Sequence, residues 1–189
     1  AYAFSKGDVL AITGTNGKTT TTALTGEILK NYVKDVRVVG NIGIPYTSMA
    51  GTMTDETVTV AEISSFQLET VEHFAPKVSA ILNITPDHLN RHHTMEAYVA
   101  AKEAVASQQT KADICVLNYD NEYTTDFAGR CPATPVLFSS HQELENGYFL
   151  RGDKIIKSVN GEEHELMDIH KDMNLVGLCN VENVMAAIA

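Results

Sequence analysis

The chain has 189 residues, 44% of them hydrophobic, and a formal net charge of −10 at pH 7. That length suits one domain with a real core, and the composition leaves no room for a disordered chain. The acidic balance argues against nucleic acid or an anionic membrane as partner, since both select basic surfaces; a polyanionic ligand would have to be met by local groups.

The first predicted element is a buried strand, VLAIT (9–13), which runs into ITGTNGKTT (12–20) and then a helix from about Thr19 to Asn31, with Leu24, Ile28 and Tyr32 at i, i+4 and i+8. The motif is almost a Walker A loop. That loop begins with a glycine five residues before its Gly-Lys-Ser/Thr, and here Ile12 stands in that place. Set between a strand and a helix, it still offers backbone N–H groups and a positive helix terminus to a phosphate. Gly14 and Gly17 allow close backbone approach and positive φ. Lys18 would reach the outer phosphates, and the Thr19 hydroxyl would coordinate Mg²⁺. The run Thr19 to Thr22 is poor helix material, which favours a functional first turn.

Further strands follow at VRVV (36–39), TVTVAE (57–62), SAILNI (79–84), ICVLN (114–118) and PVLF (135–138), near-continuous apolar runs of the kind covered on both faces by helices. A second long helix is expected from Thr94 to about Gln108, with Met95, Tyr98, Val99 and Val105 inward. Past residue 145 the pattern alternates around Asn160-Gly161, a type I′ hairpin signal, so a small C-terminal antiparallel meander is expected. GLCNVENVMAAIA (177–189) closes the chain as a helix. The predicted fold is α/β: a doubly wound, mostly parallel sheet with helices on both faces.

In such sheets ligands bind outside the carboxyl ends of the strands. Glu62, Asn41, Asp87, His88 and Asn118 all fall there, which points several polar groups at one crevice beside the phosphate loop. Asp87 has two readings, a Mg²⁺ ligand or a group that orients a neighbour. HLNRHH (88–93) has an H-x₃-H spacing, yet Pro86 and Asn90 argue against a regular helix and no cysteine or carboxylate completes a zinc set. Cys115, Cys131 and Cys179 are odd in number and form no CxxC pair, which favours reduced thiols in a cytosol. No apolar run approaches the roughly 20 residues of a membrane span, and the N-terminus AYAFSKGDV lacks a signal-peptide core. A cytoplasmic monomer is expected.

TGTNGKT (13–19), GNIGIP (40–45), EISSFQLE (62–69), ILNITPDHLNRH (81–92) and AYVAAK (97–102) together resemble the Mur ligases of bacterial peptidoglycan synthesis, specifically their central ATP-binding domain and the D-glutamate-adding branch. The family's phosphate loop is the shortened type, so Ile12 is no lesion; folylpolyglutamate synthases usually carry GTNGKG instead. The resemblance spans effectively the whole chain, so 1–189 is expected to be one central domain, with N-terminal UDP-binding and C-terminal domains outside it.

The resemblance implies that ATP phosphorylates the carboxylate of UDP-N-acetylmuramoyl-L-alanine and that the amine of D-glutamate attacks the acyl phosphate. It implies that Gly14, Thr15, Asn16, Gly17, Lys18, Thr19 and Thr20 cradle the phosphates, and that Asn180 and Asn183 lie on the adenine side. Two Mg²⁺ ions are implied, one on Thr19 and Glu62 and one near His88. Asn41 and Ser64 match contacts to the UDP-sugar. Lys102 matches a lysine that CO₂ carbamylates into a carboxylate-like metal ligand; that chemistry needs a neutral amine, which burial favours. Without the resemblance Lys102 reads as a helix-surface lysine. Cys179 stands where the family usually has histidine, and Asn90 where aspartate is common. Other readings are a sister ligase with a different amino acid, a P-loop ATPase, whose strand would normally end in Asp rather than Glu62, and a non-catalytic nucleotide-binding module.

Overall fold

The computed structural model describes residues 1–41 and 43–189; Ile42, inside the GNIGIP stretch, lies outside the described residues. Strand β1 (Asp8–Thr13) leads through the glycine-rich loop into helix α1 (Lys18–Leu29) and β2 (Val36–Gly40). One-turn helices α2 (Tyr46–Met49) and α3 (Ser65–Leu68) flank β3 (Val58–Glu62). Then come β4 (Val78–Ile81), the single turn α4 (Leu89–His92), α5 (Met95–Glu103), β5 (Ile114–Asn118), α6 (Glu122–Ala128) and β6 (Thr134–Ser139). Strands β7 (Gly147–Arg151), β8 (Lys154–Val159) and β9 (Glu162–Asp168) precede the closing helix α7 (Leu178–Ile188).

Among the described residues one sheet runs in the order β2-β3-β1-β4-β5-β6-β7-β8-β9. Neighbours from β2 to β7 are parallel, and β7, β8 and β9 pair antiparallel. The chain leaves β1 toward one edge, returns through β3, and continues on the other side at β4. That reversal opens a crevice at the carboxyl ends of β1, β3 and β4, where a ligand can enter. The register sets Ile12 opposite Glu62 and Thr13 opposite Ile81.

Two cores cover the two faces. On one, Tyr98, Val105 and Phe127 pack with Ala11, Ile81 and Leu117; on the other, Val181, Val184 and Met185 pack with Ile12, Val60 and Val116. This is the doubly wound arrangement expected from the continuous apolar runs. The C-terminal meander is an extension of the main sheet, because β7 joins β6 in parallel before the chain turns back. Phe149 and Ile155, both without exposure, anchor it at about 1.5–3 kcal/mol each. Asn160 (φ 51°) and Gly161 (φ 79°) make the expected turn.

Several details differ from the expectation. The inner face of α1 consists of Thr21, Thr22, Thr25 and Gly26, with Leu24 only partly buried and Tyr32 fully outside the helix and exposed. The reason is proximity: a Cβ on Gly26 would stand 2.4 Å from Val38 Cγ2, so α1 lies too close to β2 for bulky residues on that line. Half of the threonine run therefore serves packing. Helix α5 ends at Glu103 and passes into a 3₁₀ turn (Ala104–Ala106) instead of running to Gln108. Strand β4 stops at Ile81, leaving Leu82–Ile84 to a loop. Around Pro86 and Asn90 there is a helical turn, α4, though only one, bracketed by His88 (φ 53°) and His93 (φ 67°). Helix α6 was not anticipated, its seven residues being too few to display a period.

Candidate active site

The phosphate loop is stitched to its surroundings by polar groups from the loop after β4 and from α5. Thr15 N donates to the Asn83 carbonyl (2.9 Å) and Asn16 N to Asn83 Oδ1 (2.8 Å), while Asn83 Nδ2 returns a bond to the Asn16 carbonyl (3.2 Å). Thr15 Oγ1 shares a 3.0 Å bond with the Tyr98 hydroxyl. Gly17 caps α1 at φ 82°, and a Cβ there would stand 2.2 Å from Asn183 Oδ1. Only glycine fits. An open depression of about 310 Å³ is lined by Thr15 to Thr20, Asn41 and Glu62.

Glu62 delivers its carboxylate into that depression as the last side chain of β3, and is only 2% exposed. Thr19 Oγ1 donates to its Oε2 (2.9 Å) and Asn41 Nδ2 to its Oε1 (2.9 Å). Both oxygens are thus met by neutral donors. A hydroxyl and a carboxylate are the hard oxygen donors Mg²⁺ prefers, so Thr19 and Glu62 fit that ion. Asn41, expected to face a sugar, here faces Glu62. Ser64 caps α3 in a reciprocal capping box with Gln67.

Two lysines converge on one carbonyl. Lys18 Nζ donates to the Gly14 (3.0 Å) and Thr15 (2.9 Å) carbonyls, and Lys102 Nζ donates to the same Gly14 oxygen (2.7 Å). Lys102 is no surface lysine: it is 2% exposed, with its amine 4.7 Å from the centre of the Tyr98 ring. Burial pulls its pKa down to about 7, assisted by the Lys18 charge and opposed by Asp87. Burial likewise lowers Lys18, against the pull of the Glu62 and Asp87 carboxylates. An ammonium cannot ligate a metal, but a neutral amine is the nucleophile that attacks CO₂, with loss of a proton. The chemistry of Lys102 therefore fits a carbamate.

His88 caps α4 in the left-handed conformation, which costs a non-glycine residue about 1–3 kcal/mol and persists only where surroundings impose it. Its N–H donates to Asp87 Oδ1 (2.8 Å) and its Nε2 lies 3.4 Å from Asp87 Oδ2. In this conformation Asp87 orients its neighbour. His92 is buried and turned away, so the H-x₃-H pair does not converge on one point.

On the other side of the loop, Asn16, Gly17, Thr20, Leu82, Asn83, Phe138 and the start of α7 enclose a cavity of about 250 Å³. Asn180 and Asn183 line it, joined by a 3.2 Å bond, and Asn183 Oδ1 accepts from Thr21 Oγ1 (3.3 Å). Exposed Cys179 lines it too. A larger cavity, about 440 Å³, lies between Tyr46, Ile63, Phe74 and the N-terminal residues, and none of the expected site residues lines it.

One expected member falls out. Asn118 is buried and structural, donating to the Leu82 carbonyl (3.1 Å) and accepting from Asp120 N (2.8 Å), so it ties β5 to the loop after β4. Sequence reasoning underrated Asn83 and Tyr98, the residues that hold the phosphate loop. Tyr98 was legible only as an apolar inner residue, and Asn83 only as one letter of ILNITPDH.

A model of the Mur ligase middle domain matches residues 12–189. The UDP-N-acetylmuramoylalanine--D-glutamate ligase of Lachnoclostridium phytofermentans is 58% identical over 188 residues, covering all of this chain and 41% of that protein. The enzyme of the same name from Lachnospira eligens is 54% identical over 189 residues, again covering the whole chain and 42% of the relative. The chain thus spans about two fifths of the length of the curated relatives it matches. The fold is similar to that of MurF from Acinetobacter baumannii (TM-score 0.72, 20% identity, 96% of this chain and 41% of that one). It is also similar to MurF from Thermotoga maritima in complex with ADP (TM-score 0.67, 17% identity, 98% and 45%). Among the described residues no helix is long and apolar enough to cross a membrane.

Proposed function

Since the chain belongs to the Mur ligase family by its match to the middle domain, we propose that it is the ATP-binding part of a ligase that adds D-glutamate to UDP-N-acetylmuramoyl-L-alanine. The observation that carries this reading is the Thr19–Glu62 pair at the mouth of a glycine-lysine-threonine loop, in a chain 58% identical to a ligase of that name. Bringing a phosphoryl group to a carboxylate opposes two anions, so neutralisation and positioning dominate the catalytic task.

In this reading the loop amides of 14–18 and the start of α1 receive the β- and γ-phosphates, and Lys18 exchanges its carbonyl partners for phosphate oxygens. The cavity at Asn180 and Asn183 takes the adenine end of the nucleotide, with Cys179 at its rim. Thr19 and Glu62 would hold one Mg²⁺, and His88 with a carbamylated Lys102 would hold a second. The ions, when bound, neutralise charge at the transferring phosphoryl group. A carbamate would keep one N–H on the Lys102 nitrogen for the Gly14 carbonyl and add two oxygens to face the ion. Asn41 and Ser64 would meet the UDP-sugar only by exchanging their present partners, Glu62 and Gln67, and further domains beyond this chain complete the amino-acid site.

The test is phosphate release by the full-length ligase with ATP, Mg²⁺ and UDP-N-acetylmuramoyl-L-alanine, adding candidate amino acids singly. Release that requires D-glutamate and disappears in Lys18→Ala is expected. Release with another amino acid would keep the mechanism and move the protein to a sister enzyme, whereas ATP binding with no release would favour a nucleotide-binding module. The 189-residue chain alone is expected to bind MgATP weakly and to ligate little or nothing.

A further inference from the structure

His88 occupies a strained conformation, its N–H bonded to Asp87 Oδ1 and its carbonyl to the Arg91 and His92 N–H groups of the turn. The turn is only four residues long, with His93 also at positive φ on its far side. What holds the turn itself against the rest of the fold comes from α3 and the residue after it. His92 Nε2 and Ser65 Oγ share a 3.0 Å hydrogen bond, and His92 Nδ1 lies 3.2 Å from Glu69 Oε1. Both ring nitrogens are engaged, and the side chain is 2% exposed. The ring stacks on Phe66 (5.6 Å, 12°) and meets Tyr98 at 5.0 Å. Arg91 reinforces the same contact from outside, with Nη2 2.7 Å from Glu69 Oε2 and its guanidinium 5.0 Å from the Phe66 ring.

We infer that His92 is a positioning residue for the reaction, fixing the turn that carries His88 by bridging Ser65 and Glu69. The observations converge on it. Ser65, Phe66 and Glu69 belong to the segment that begins at Glu62, so His92 joins the strand end carrying one group of the site to the turn carrying another. Its ring also touches Tyr98, whose hydroxyl meets Thr15 of the phosphate loop. A buried imidazole brings two polar ring atoms that need partners, here Ser65 and Glu69. Leucine or phenylalanine would fill that space without them. The histidine is explained if the turn must be held in one place.

This inference rests on the reading of His88 as a ligand of the second ion. Partners that orient a ligand typically cost 10–100-fold when removed. His92→Phe keeps the ring stack and loses the Ser65 hydrogen bond and the Glu69 contact. In the full-length ligase it should lower kcat by roughly 10–100-fold while leaving KM for ATP within about threefold. In the protein bound to a non-hydrolysable ATP analogue, the weaker of two Mn²⁺ sites, read by electron paramagnetic resonance, should weaken by a similar factor. His92→Gln, which can restore a bond to Ser65 or Glu69, should recover much of both losses.

The double variant His88→Ala/His92→Phe separates the possible failures. If His92 acts through His88, its effect vanishes in the His88→Ala background. Additive losses would overturn the inference, and so would a fall in melting temperature with kcat, KM for ATP and both Mn²⁺ sites changing together. A fully active His88→Ala enzyme would instead sink the site reading on which the inference stands.

Discussion

Lys102 is the most unusual group in the molecule, and its burial makes a quantitative demand on stability. Its pKa in the fold is about 7, against 10.5 for the unfolded chain. Between those values the unfolded chain holds the proton and the folded chain does not, so folding releases a proton and stability rises with pH. The term costs nothing above pH 10.5 and is fully paid below pH 7. Its full size follows from 1.36 kcal/mol per unit, about 5 kcal/mol over the window. From pH 9 down to pH 7 the penalty grows by about 2 kcal/mol, the slope halving near pH 7 as the folded-state amine begins to protonate.

Lys102→Met removes this term at similar length and volume. It also removes the hydrogen bond to the Gly14 carbonyl, worth about 1 kcal/mol, but that loss is the same at both pH values and cancels in the comparison. Urea unfolding of the chain and of the variant at pH 7 and pH 9, in CO₂-free buffer so that no carbamate masks the amine, isolates the effect. The variant's stability relative to the parent should be about 2 kcal/mol more favourable at pH 7 than at pH 9. An equal difference at both pH values would refute the reasoning, since it would mean that the lysine keeps an ordinary pKa in the fold.

Two further outcomes follow from the geometry of the nucleotide side. Gly17→Ala places a methyl group against Asn183 Oδ1 in a backbone conformation unsuited to alanine, so it should cost about 1–3 kcal/mol in urea unfolding and abolish ATP-analogue binding measured calorimetrically. Cys179 is exposed while Cys115 and Cys131 are buried, so a disulfide-exchange reagent should modify one thiol quickly and the other two only on unfolding, and ATP should slow the fast one if, as proposed, the cavity that Cys179 lines takes the adenine.

How much of this was open to sequence reasoning depends on how far each feature reaches along the chain. The phosphate loop is local: a strand, two glycines, a lysine and a helix lie within about fifteen residues, and both its place and its φ values could be expected. Glu62 needed one more step, the rule that parallel strands present their ends together, and the Ile12–Glu62 register satisfies it. The inner face of α1 was misread, because apolar spacing was sought where a close helix–strand approach demands threonine and glycine. Asn118 was misassigned for a related reason. A polar residue at a strand end can serve the ligand or the neighbouring loop, and only the fold distinguishes them.

Lys102 is the instructive case, since a helix-surface reading passed over a signal that was present. Tyr98, Lys102 and Val105 stand at i, i+4 and i+7, and the first and last were already assigned to the inner face. A lysine in phase with two buried residues is forced inward unless the helix rotates, and rotation would expose Tyr98. The same logic fails for His92, because a one-turn helix has no period to be in phase with. Its burial is decided by α3, more than twenty residues away, through Ser65 and Glu69. Periodicity can therefore reveal a functional polar residue on a long helix, whereas in a single turn the evidence lies entirely in the partners.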